Sequence, residues 1–74
     1  MKVLQRAYQD ELLDALRAEG AAQGVPYPHV RALLLEVARR ERAHAEALAE
    51  ALRRRGAPLP PTPKPEEGGW ETLL

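Results

Sequence analysis

Glu41 and His44, three positions apart, interrupt an otherwise apolar line through the second half of the chain. At helical pitch Val30, Leu34, Val37, Glu41, His44, Leu48 and Leu52 fall close to one seam. A Glu-x-x-His pair on one helix face stacks a carboxylate and an imidazole about one turn apart, able to hold one metal ion or two adjacent ions. Glu11 repeats the anomaly upstream, near the middle of a stripe formed by Leu4, Ala7, Tyr8, Leu12 and Ala15, with Asp10 and Asp14 outside it. A carboxylate set into an apolar face costs on the order of several kcal/mol in desolvation unless it is protonated, paired with a cation or bound to metal.

The elements that must position these residues are legible from periodicity and from breakers. Apolar residues recur at three- and four-residue steps from about Lys2 to Glu19, which predicts a first helix over about 2–19 with Gly20 as its stop. Two glycines and two prolines between Gly20 and Pro28 predict a connecting loop. Pro28 suits the first turn of a second helix, which the pattern carries over about 28–55 to a C-terminal Gly56, with Arg53, Arg54 and Arg55 at the negative end of its dipole. Together these make residues 1–56 a helical hairpin. Prolines 58, 60, 61, 63 and 65 mark residues 57–74 as a Pro-rich C-terminal tail favouring extended polyproline conformation over packed structure. Trp70 to Leu74 at its end could dock on the bundle or on another protein.

The fold class is therefore all-α, an antiparallel two-helix hairpin. Glu11 lies about as far before the loop as Glu41 lies after it, so Glu11, Glu41 and His44 can meet at one level. A chain of 74 residues is too short to build a deep core alone, and with no cysteine it has no disulfide to help. A homodimer or higher homo-oligomer is expected. Two hairpins forming a four-helix bundle would gather four carboxylates and two imidazoles, the ligand set of a di-iron carboxylate site.

These residues resemble the ferritin-like superfamily, in particular its rubrerythrin-type and encapsulated-ferritin-type hairpins, over about residues 7–61. The resemblance rests on Tyr8-Gln9-Asp10-Glu11, on Val37 through Ala45 around Glu41 and His44, and on Leu48 to Gly56 followed by Pro58. It implies a ferritin-like bundle with a di-iron, alternatively di-manganese, centre and ferroxidase or peroxidase activity. Carried over, Glu41 would bridge two ions, Glu11 would be a terminal carboxylate, and His44 would bind through one ring nitrogen, with Asp10 or Asp14 as acceptor for the other. Most family members supply four helices from one chain, so a second copy is expected to supply the missing pair. Encapsulated relatives also carry short C-terminal docking peptides, a possible parallel for the Trp70 tail.

Composition narrows the rest. Eleven basic residues balance eleven acidic ones, so a nucleic-acid partner is not expected. The longest apolar run, Ala32 to Leu35, is far short of a membrane span, and the absence of cysteine fits a cytoplasmic setting. No nucleophile-base pair or phosphate-cradling loop is visible. Tyr8 reads as core packing that could also wall the site, and His29 as structural or solvated. Glu36 with Arg40 and Glu50 with Arg54 read as exposed pairs at four-residue spacing. The competing function class is a metal-free helical-hairpin interaction module whose polar seam residues fix partner choice.

Overall fold

The computed structural model describes residues 2–65, built on two helices, α1 (Lys2–Gly24) and α2 (Pro28–Arg54), packed against each other as a hairpin. α1 continues past the expected stop at Gly20. That glycine sits exposed within the helix, while Ala18, Ala21 and Ala22 are buried. This packing outweighs the ~1 kcal/mol helix penalty of one glycine. The reversal is confined to Val25, Pro26 and Tyr27, so the expected nine-residue loop shrinks to the segment that proline enforces. Tyr27 is extended, at φ −100° and ψ 112°, as a residue before proline must be. Arg31 of α2 reaches back to donate to the carbonyls of Ala22 (3.2 Å) and Val25 (2.9 Å), placing a cation at the negative end of α1.

The end of α2 follows the sequence to within a residue. Gly56 takes φ +69°, its N–H donates to Arg53 O (3.0 Å) and the Ala57 N–H donates to Leu52 O (3.0 Å). This is the Schellman arrangement, in which a left-handed glycine lets the last carbonyls find donors.

The buried face of α2 differs from the expected seam. Ala38, Ala45, Ala49 and Leu52 are buried, whereas Val30, Leu34 and Leu48 are only half-buried and Val37 and Leu33 stay exposed. Alanines let the helix backbones approach closely, so the contact centres on them and the larger residues of the stripe are turned to one side. The molecule measures 43 × 20 × 15 Å, and its thinnest dimension barely exceeds one helix diameter of about 10–12 Å. A single layer of two helices therefore leaves one flank of the α2 stripe without a cover of its own.

The tail departs from expectation in one respect. Residues 57–65 lie outside any helix, yet they are fixed along α1: Gln5 Nε2 donates to Pro58 O (3.0 Å) and Gln9 Nε2 to Pro61 O (3.2 Å). An extended polyproline segment makes no hydrogen bonds within its own backbone, so these carbonyls are free to accept from a glutamine pair one helical turn apart. The expected docking segment Trp70 to Leu74 lies outside the described residues. Among the described residues no helix is long and apolar enough to cross a membrane.

Candidate metal centre

α1 and α2 run antiparallel, and their middles bring Glu11 beside Glu41 and His44. One ligating atom from each of these three side chains can be chosen so that all lie within 4.8 Å of one another. His44 Nδ1 stands 3.4 Å from Glu11 Oε2 and 3.8 Å from Glu41 Oε1. Glu41 is the most sheltered, with 19% of its side chain exposed, and His44 the most open at 55%. The graded exposure follows from the alanine-centred contact: Glu41 borders the buried face, and His44 lies further round the helix, beside Val37.

The electrostatics of the group are unresolved within one chain. Among the described residues the buried Glu11 Oε2 accepts no hydrogen bond, and His44 Nδ1 stands from it at 3.4 Å, an ion-pair distance. Glu41 is pushed above the ordinary carboxylate value. Hydrogen-bonding contact with Glu11 is the largest cause, followed by desolvation and the charge of Glu11, while His44 and Arg40 pull the other way. Two carboxylates this close need a proton or a cation between them. A metal ion meets that need, and one imidazole nitrogen with carboxylate oxygens suits iron, manganese or zinc. Bonds of ~2.1 Å place ligand atoms ~3–4 Å apart, so small side-chain rotations close the present spacing. The donor set fits a metal on its own geometry.

Around this group, Asp14 lines a cleft of ≈ 350 Å³ with Arg17, Ala18, Leu34, Val37 and Glu41, while Asp10 points into solvent on the exposed side of α1. Tyr8 is half-buried on the other side of the helix pair, against Leu12, Leu16 and Ala45. His29 is exposed and stacks at a tilt on Tyr27, with ring centroids 6.4 Å apart. Of the two expected four-residue pairs, Arg54 does meet Glu50 (3.7 Å), but Glu36 pairs with Arg39 (3.0 Å) rather than with Arg40.

Sequence reasoning missed the clamp between Arg42 and Glu19. Arg42 Nε and Nη2 grip both oxygens of Glu19 at 2.5 and 2.7 Å across the two helices. That fork-to-fork bond holds the Glu19 carboxyl below its ordinary value. Only knowledge of the helix register could have found it, since Glu19 falls where the first helix was expected to end.

The family model for rubrerythrin matches residues 2–69, nearly the whole chain. The chain belongs to the rubrerythrin family. Comparison with curated proteins and with solved structures returns no match. Membership in the rubrerythrin family agrees with the all-α hairpin and with the carboxylate-imidazole group at its centre.

Proposed function

We propose that this rubrerythrin-family chain is a metal-binding protein in which Glu11, Glu41 and His44 are the ligands and a second copy completes the site. The observation that carries the reading is the buried Glu11 Oε2, which has no hydrogen-bond donor although Glu41 and His44 both face it. The exposed flank beside it supports a second copy. Val37 and Leu33 are 42% and 64% exposed, and the adjoining cleft is walled mainly by apolar atoms and large enough for side chains of a facing hairpin. Two hairpins related by a two-fold axis would form a four-helix bundle with two Glu11, two Glu41 and two His44 around one cavity.

A pair of iron ions, or alternatively manganese, would supply one-electron chemistry towards dioxygen or peroxide, the basis for a ferroxidase or peroxidase role. The residues' own contributions are simpler. Glu41, its carboxyl raised above the ordinary value by Glu11 beside it, must be deprotonated to bind metal, so binding strengthens as pH rises. Glu11 offers an oxygen already stripped of water. His44 offers Nδ1 towards both carboxylates.

Metal binding should raise thermal stability by mass action, by about 2.7 kcal/mol at a hundredfold excess of free metal over Kd. Titration with ferrous or cobaltous ion under anaerobic conditions, followed by melting temperature and metal content, tests this. The wild-type chain should bind and be stabilised, and Glu41→Ala should do neither. Equal metal content in both would remove the assignment. A chain that assembles without taking metal would favour the metal-free interaction module.

A further inference from the structure

The docked tail has a regular pattern. Ala57, Pro60 and Pro63 are half-buried, while the residues between them are exposed. A three-residue burial period is that of a polyproline helix laying one edge on a surface. The accepting carbonyls, on Pro58 and Pro61, keep the same spacing, and their donors Gln5 and Gln9 are one helical turn apart on α1. The segment passes over a cleft that Thr62 lines together with Tyr8, Leu12, Leu16, Arg42, Ala45 and Glu46. Those residues lie on the opposite side of the helix pair from the cleft that Asp14, Leu34 and Val37 form beside Glu41.

A bare hairpin would thus present two unlike flanks, the mainly apolar one beside Glu41 and one on which Tyr8, Leu12 and Leu16 lie among the charged Arg42 and Glu46. Two different sticky flanks on one molecule permit heterologous, side-by-side association that continues until it closes into a ring or runs on as a filament. A single flank permits only the isologous pairing of like with like, which stops at two.

We infer that the groove formed by Gln5, Tyr8, Gln9, Leu12 and Leu16 of α1 with Ala45 of α2 is a binding surface for an extended proline-rich segment. Its occupant is this chain's own residues 57–65, bound so that the flank is closed to other copies. The tail is a built-in stop that leaves the Val37 and His44 flank for pairing and makes the assembly finite. The inference rests on the self-association reading above for what happens on the open flank, but not for the closure itself.

Two full-length variants test it. In one, residues 57–65 are replaced by a glycine-serine segment of equal length, which has no polyproline preference and no apolar edge. In the other, Gln5→Glu and Gln9→Glu turn both donors into acceptors facing carbonyl oxygens. Helicity is followed by circular dichroism, and mass by light scattering across a wide range of protein concentration. The wild-type chain should keep one mass, and the variants should grow with concentration to at least twice that mass. If the glycine-serine chain loses helicity, the glutamate variant decides. Variants as helical as wild type that keep its mass overturn the inference. If the wild-type chain is itself a monomer, the self-association reading fails alone, because the closed flank still requires the variants to associate; variants that remain monomeric overturn it here too.

Discussion

The carboxyl groups of Glu11 and Glu41, one from each helix, offer oxygens within 4.8 Å of one another at the middle of the hairpin, and the closeness of Glu11 raises Glu41 above its ordinary value. The pair sits where two alanine-lined helix faces meet, so neither carboxylate can retreat fully into water. That conflict is what a cation would relieve.

In the metal-free chain, Glu41 binds its proton more tightly when folded than when unfolded. Its contribution to stability is therefore complete below 4.5 and is lost as pH rises through the raised folded value. Glu41→Gln mimics the protonated form and should remove this loss. At neutral pH and fixed protein concentration, its metal-free melting temperature should exceed that of wild type by a few degrees, on the order of 1 kcal/mol. Metal should stabilise wild type and leave Glu41→Gln unmoved. Thermal melts with chelator and with ferrous ion check both arms.

Glu19 works in the opposite sense. Its carboxyl is lowered by Arg42, so the clamp contributes fully above 4.5 and is lost as pH falls through the lowered value. Both side chains are partly exposed, which limits the effect to about 1 kcal/mol after solvent screening. Glu19→Gln should lower the melting temperature at neutral pH, and the difference from wild type should shrink in acid and in high salt.

Two glycines should respond to alanine with opposite signs. Gly20 lies in α1 with nothing within 4 Å of an added Cβ, so Gly20→Ala should stabilise by about 0.5–1 kcal/mol. Gly56 also has open space around it, but its φ of +69° is strained for any residue with a Cβ, so Gly56→Ala should destabilise by about 1 kcal/mol. For a chain of this size each change moves the melting temperature by roughly 4–8 °C per kcal/mol.

The open flank makes its own prediction. Val37→Glu places a charge on a surface that is already 42% exposed, so the hairpin itself should keep its helicity. If that flank receives a second copy, the change should halve the mass of the assembly in light scattering and weaken metal binding with it.

Much of this was legible in the residues. The helix pair, the end of the second helix at Gly56 and the meeting of Glu11, Glu41 and His44 all followed from periodicity and from a chain reversal expected between Gly20 and Pro28. What escaped was set by packing. Gly20 reads as a stop because its local propensity is poor, yet burial of Ala21 and Ala22 carries α1 through it. The apolar stripe of α2 shows which residues avoid water, but not which of them meet α1. Close approach selected Ala38, Ala45 and Ala49 and left Val37 to one side. The tail's prolines announced an extended chain, but its docking depended on two glutamines more than fifty residues away.

Native mass spectrometry of the full-length chain, purified without affinity metal and loaded anaerobically with ferrous ion, reports subunit number and bound metal together. Even-numbered assemblies carrying about two metal ions per pair of chains, and losing them on Glu11→Ala or Glu41→Ala, are the expected result. Assemblies that stay free of metal after loading, or that keep it in both variants, would contradict a metal centre built from Glu11, Glu41 and His44.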